Sequence, residues 1–226
     1  MKNSINSFKS LDEMFNNCSN YIFQLIVKKI DNKNICNIAL SGGRTPKGLY
    51  NLLFNKIVDY NLDKKVNFFL TDERCVDTSS ADSNFNMIIT CATQTNIKSK
   101  FFKMYDHNLG VELSTKNYDI LLNEKKIDIS ILGIGTDGHI ASIFDSIFFN
   151  DISAVKNYKV EGVNHQRISM TMNYLLDIEK NIIIANGKSK KNLIDKIKES
   201  SLNLNLPLHF FYNKINPDLY VSEMYD

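Results

Sequence analysis

The sequence has no C-x-x-C pair, only 3 prolines, no long run of like charge and no apolar stretch of bilayer-spanning length. Its four cysteines, Cys18, Cys36, Cys75 and Cys91, are scattered, which argues against a structural zinc site and against a disulfide framework. Cys36 sits in an apolar run and is expected to be a small buried hydrophobe, and Cys75 a bystander thiol. Lys and Arg number 27 against 25 Asp and Glu, a formal net charge of +2. The densest basic patch, from Lys188 to Lys191, is too small for a nucleic-acid footprint, although a single phosphate is within its reach. Met1 to Asn17 contain no apolar signal-peptide core, so a soluble protein in the reducing cytoplasm, without a membrane partner, is expected. No internal repeat and no Pro-, Gly- or Ser-rich linker divides the chain, so residues 1–226 are expected to form one domain.

What is present is an alternation of apolar periods. Helical spacing marks Leu11 to Ile30, Pro46 to Val58, Ser83 to Thr93, Val111 to Asn123, Met172 to Ile178 and Lys188 to Glu199. Short apolar runs read as strands at Ile35 to Leu40, Val66 to Leu70, Phe101 to Met104, Ile127 to Leu132, Ile168 to Thr171, Ile182 to Ala185 and Leu208 to Tyr212. Ser146 to Gln166 has weak periodicity and is expected to form loops or a partial lid. This alternation predicts an α/β fold, a mainly parallel Rossmann-like sheet with helices on both faces.

Three breaks in the pattern carry chemistry. In the first, Leu40 leads into Ser41-Gly42-Gly43-Arg44-Thr45-Pro46, where Thr45 is expected to cap a helix whose first residue is Pro46. Open N–H groups at Gly42, Gly43, Arg44 and Thr45, with the helix dipole, make an anion site. It matches neither a Walker A loop nor G-x-G-x-x-G. The second is Thr71-Asp72-Glu73-Arg74, from which Arg74 is expected to meet an anion and an acid to orient it, while Asp82 or Ser83 caps the next helix. The third follows Leu132, where Gly133, Gly135 and Gly138 relax the backbone and deliver His139, a side chain suited to general-base work near neutral pH. Arg167 and Lys188 add cations at strand ends; a lysine at a helix start opposes the dipole, which hints that an anion holds it there.

Together these segments resemble the 6-phosphogluconolactonase family. The residues that carry the resemblance are Ser41-Gly42-Gly43-Arg44-Thr45-Pro46, Thr71-Asp72-Glu73-Arg74, Asp82-Ser83-Asn84, Arg167-Ile168-Ser169 and the stretch from Gly133 through Asp137-Gly138-His139 to Ala141-Ser142. They fall in family order across roughly residues 35 to 190. The resemblance implies the sugar-phosphate isomerase/deaminase fold and hydrolysis of 6-phospho-D-glucono-1,5-lactone to 6-phosphogluconate in the pentose phosphate pathway, with no metal and no organic cofactor. Departures are Asp145, where the family often has proline, and the missing proline soon after Arg74. The sister family, glucosamine-6-phosphate deaminase, has a glutamate five residues after the histidine, where this chain has Phe144, and an aromatic residue where it has Arg74.

The expected mechanism places the substrate phosphate on the N–H groups of Gly42 to Thr45, neutralised by Arg74 and Lys188, with Arg44 and Arg167 in reserve. His139 is the general base, oriented by Asp137 or Asp72, and N–H groups of the glycine turn stabilise the oxyanion. A covalent route through Ser142 is disfavoured, because no nucleophile-elbow sequence surrounds it. The partner is then a small sugar phosphate lactone, and a monomer is expected, with a weak homo-oligomer as the alternative. Two rival readings are the deaminase and a non-catalytic sugar-phosphate sensor; an intact His139 with Asp137 and Arg74 speaks against the sensor.

Overall fold

The computed structural model describes residues 5–146 and 149–222. Ten strands and seven α-helices are found there: β1 (Ile5–Phe8), α1 (Leu11–Lys33), β2 (Cys36–Leu40), α2 (Arg44–Asp59), β3 (Val66–Leu70), β4 (Asp72–Arg74), α3 (Asn84–Thr95), β5 (Lys100–Phe101), α4 (Gly110–Glu124), β6 (Ile129–Gly133), β7 (Val155–Tyr158), β8 (Arg167–Met170), α5 (Met172–Asp177), β9 (Lys180–Asn186), α6 (Lys191–Lys198), α7 (Pro207–Ile215) and β10 (Asp218–Ser222). Seven strands form one sheet in the order β1-β10-β9-β6-β2-β3-β5, every neighbouring pair parallel. A second, antiparallel sheet is ordered β4-β8-β7.

Local chemistry accounts for the main elements. Strand β2 is buried at every position, as a central strand covered on both faces must be. Helix α1 starts at Ser10, whose hydroxyl accepts from the Glu13 amide at 3.1 Å, and buries Met14, Cys18, Ile22, Ile26 and Ile30 at four-residue spacing. Helices α1, α2 and α3 pack side by side, and α7 packs against both α5 and α6.

The strand order places the site. From β2 the chain steps to β3 and β5 on one side, then to β6, β9 and β10 on the other. Loops leaving the carboxyl ends of β2 and β6 therefore diverge, and a crevice opens at this switch point.

Several expectations are corrected. Leu208 to Tyr212 is not a strand but part of α7: Pro207 stands at its start and Leu208 and Phe211 are buried on one face. The strand at this end of the sheet is β10, and β1 is a further strand that pairs with it. The strand expected at Phe101 to Met104 is reduced to Lys100–Phe101. The segment expected as loops from Ser146 to Gln166 contains β7; its residues Ile147 and Phe148 lie outside the described residues.

Candidate active site

Ser41 joins the two loops at the switch point. Its amide donates to the Ile131 carbonyl, its hydroxyl accepts from the Gly133 amide at 3.0 Å, and its carbonyl accepts from the buried Tyr50 hydroxyl. Gly42 passes directly against Asn84, where an added Cβ would fall 1.8 Å from the Asn84 Oδ1. Gly43 has φ of 104° and precedes α2, so the helix begins at Arg44 rather than at Pro46, and Thr45 is inside it instead of capping it. No side chain caps this helix start, which leaves its first amides to a ligand.

After β3 the chain crosses into the small sheet, and its three charged residues take different tasks. Asp72 is buried and accepts from Ser142 Oγ at 2.7 Å and Thr71 Oγ1 at 3.1 Å; it does not bond His139. Glu73 is buried at the start of α3, accepting from the amides of Asn84 and Phe85 and the Ser83 hydroxyl. Burial raises its pKa, against the pull of those amides. Ser83 is the N-cap, as expected. Arg74 donates from Nη1 to the Asp82 carbonyl at 2.6 Å, while its Nε is buried without a hydrogen-bond partner. Arg167 lies opposite Arg74 in the β4–β8 ladder, and its Nε is likewise buried and unpartnered. Burial and the adjacent Arg74 charge both lower the Arg167 pKa. His165 bonds Asp82 at 3.1 Å, beside this pair. The Cys75 thiol is pushed up to about 12 by burial, which keeps it protonated and fits the expected bystander.

His139 emerges from the glycine turn after β6. Its Nδ1 lies 2.6 Å from Asp137 Oδ1, and this hydrogen bond pulls the Asp137 carboxyl down to about 2. Gly135 makes room for the pair: an added Cβ would lie 2.1 Å from His139 Nδ1 and 2.3 Å from Asp137 Oδ1. The amides of Gly133, Gly135 and Gly138 donate to Ser41 Oγ, the His139 carbonyl and the Gly135 carbonyl. These three N–H groups are thus engaged inside the protein and are not open to an oxyanion.

One cavity of about 1010 Å³ gathers Gly42, Gly43, Arg44, Thr45, Asp72, Arg74, His139 and Lys188. Asp137 and Arg167 stand behind it, one bonded to His139 and the other beside Arg74. Sequence reasoning passed over two residues on its wall. Asn84 stands in a quoted motif, yet its packing on Gly42 is visible only in three dimensions. Lys190 was not singled out within its lysine-rich stretch; burial lowers its pKa, Asp137 opposes that shift and Arg44 adds to it. Among the described residues no three His, Cys, Asp or Glu side chains gather as metal ligands. The candidate ligand holders are these cations and the open amides of α2.

The sequence model of a family described as glucosamine-6-phosphate isomerases/6-phosphogluconolactonase matches residues 9–219. A probable 6-phosphogluconolactonase of Dictyostelium discoideum is 31% identical, covering 91% of this chain and 92% of that protein. A 6-phosphogluconolactonase of Thermotoga maritima is 30% identical over 83% of this chain and 84% of its own length. A crystal structure of 6-phosphogluconolactonase from Thermotoga maritima superposes with a TM-score of 0.82 at 26% identity, covering 97% of this chain and 99% of that one. A Shewanella baltica 6-phosphogluconolactonase structure, at 20% identity, shares the fold with a TM-score of 0.86 over 97% of both chains. The strand order, the histidine on its glycine turn and these matches agree, and the chain belongs to the glucosamine-6-phosphate isomerase/6-phosphogluconolactonase family.

Proposed function

We propose that this protein hydrolyses 6-phospho-D-glucono-1,5-lactone to 6-phosphogluconate, the lactone-opening step of the pentose phosphate pathway, with His139 as general base. The observation that carries this reading is the 2.6 Å contact between His139 Nδ1 and Asp137, on a side chain that lines the cavity. Asp137 holds the tautomer with its proton on Nδ1, which leaves Nε2 free to accept one.

The phosphate, carrying close to two negative charges at pH 7, is bound by the open amides at the start of α2 and by Arg44 and Lys188. Arg74, backed by Arg167, brings further positive charge to the cavity. Anchored in this way, the lactone presents its carbonyl carbon to water beside His139. Nε2 takes a proton from water as the oxygen attacks C1, the C1–ring-oxygen bond breaks, and the proton passes to the departing ring oxygen, which becomes the C5 hydroxyl. The oxyanion is stabilised by the cations around the cavity. Asp72 contributes indirectly, by holding Ser142 in the turn that carries His139. No described helix is long and apolar enough to cross a membrane; on this reading the protein acts in the cytoplasm, as a monomer or a weak oligomer.

The test is a pair of assays on the purified protein. In one, freshly generated lactone is followed against its spontaneous hydrolysis; in the other, glucosamine 6-phosphate is supplied and ammonia is measured. The expected result is accelerated lactone loss that falls roughly 10²–10⁴-fold in His139→Ala, with no ammonia. Ammonia release would assign the deaminase reaction, and silence in both assays would leave a sugar-phosphate binder.

A further inference from the structure

We propose that Phe144 is a positioning residue for His139: its ring closes on the imidazole and, together with Asp137 at Nδ1, fixes the direction in which Nε2 points. The two rings lie 4.4 Å apart between centroids, inclined at 42°. A hydrogen bond at Nδ1 restrains one edge of an imidazole but leaves the ring free to swing about that contact. Asp137 is itself 59% exposed, so water competes for this contact. An aromatic ring packed against the imidazole removes the remaining freedom.

The backbone is built to bring Phe144 back onto His139. Ala141 adopts a left-handed φ of 48°, a costly conformation for a residue with a Cβ. The turn is held by bonds on both sides: Ser142 Oγ to Asp72, the Ser142 amide to Ser169 Oγ at 3.2 Å, and the Ile143 amide to the Ile140 carbonyl at 2.9 Å. Ile140 and Ile143 are fully buried beneath it. The turn's strain and its buried anchors thus support a partly exposed aromatic ring that lies against the base.

This inference rests on the assignment of His139 as general base, and its test has one arm that needs no turnover. In steady-state assays Phe144→Ala is expected to lower kcat about tenfold while KM stays within about twofold, Phe144→Tyr to restore kcat, and Phe144→Leu to fall between them. In the unliganded protein, the His139 ring protons, assigned with His139→Gln, are expected to be shifted upfield by the aromatic ring current. That shift should be lost in Phe144→Leu and kept in Phe144→Tyr. An unmoved His139 resonance in Phe144→Leu, or full kcat in Phe144→Ala, overturns the proposal, as does an equal loss of kcat in the alanine and tyrosine variants. An inactive wild-type protein would remove the lactonase reading and leave the spectrum to decide the ring contact.

Discussion

At the amino-terminal edge of the large sheet, Asp128 accepts from the Asn37 amide at 2.8 Å and pairs with Lys33 at 2.7 Å. Beside it Lys180 pairs with Asp218 at 2.6 Å, and Tyr21 donates to the same carboxylate. At the carboxyl edge the pattern is reversed. Arg74 and Arg167 stand side by side with buried Nε groups that bond nothing, and Asn186 has a buried Oδ1 that accepts nothing. Both edges bury polar groups; the first meets them from within the chain, whereas the second leaves these two Nε groups and the Asn186 Oδ1 unmet. A buried polar group left without a partner costs about 1–3 kcal/mol, so unpaired groups persist where a ligand completes them. Buried polar atoms that the chain leaves unmet, on Asn51, Arg74 and Asn186, belong to residues that line the cavity.

The sharpest way to break this comparison is Gly135→Ala, which drives a methyl group into the His139–Asp137 contact without touching a charge. Turnover is expected to fall about a hundredfold with little change in KM, and steady-state kinetics check it. Arg74→Met should do the opposite, raising KM about tenfold to a hundredfold while the melting temperature hardly moves. A large loss of stability there would place Arg74 among the scaffold charges. Asp128→Asn is expected to reduce unfolding free energy by about 1–3 kcal/mol and leave KM and kcat unchanged, as denaturant titration with kinetics would show. The smallest effect concerns Asp137, whose carboxyl is lowered from 3.8 to about 2 by His139. Because its folded-state pKa lies below the unfolded one, its contribution to stability is present above about pH 4 and is lost as the pH falls through about 2. Carbon NMR of the carboxyl should show this titration, returned towards 3.8 in His139→Gln.

The central strands and most helices were legible because burial on both faces writes continuous apolar runs, as in Cys36–Leu40, and one-sided burial writes helical periods, as in α1. Leu208 to Tyr212 misled because its aromatic residues favour strands; Pro207 and the spacing of Leu208 and Phe211 were the helix signal. In the site, the glycines and the histidine could be read directly, since a tight turn and a titratable side chain have few substitutes. The tasks of the acids could not. Glu73 caps a helix that begins eleven residues later, and Asp72 bonds a serine seventy residues away. Such partners are set by how the strands are stacked, which no local pattern encodes. Asp137 was the exception, lying two residues from the histidine it orients.

The order of the large sheet also governs how the molecule can be made. Strand β1 takes its place only by pairing with β10, in register from Ile5 with Leu219 to Phe8 with Ser222. Strand β10 in turn fills the slot between β1 and β9. At about 5–20 residues per second on the ribosome, roughly ten to forty seconds pass before β1 meets its partner. The loops that build the site, from β2, β3 and β6, emerge long before that. A chain halted short of Asp218 would therefore carry most of the catalytic groups yet leave the edge of β9 bare and β1 unpaired, two open templates for aggregation.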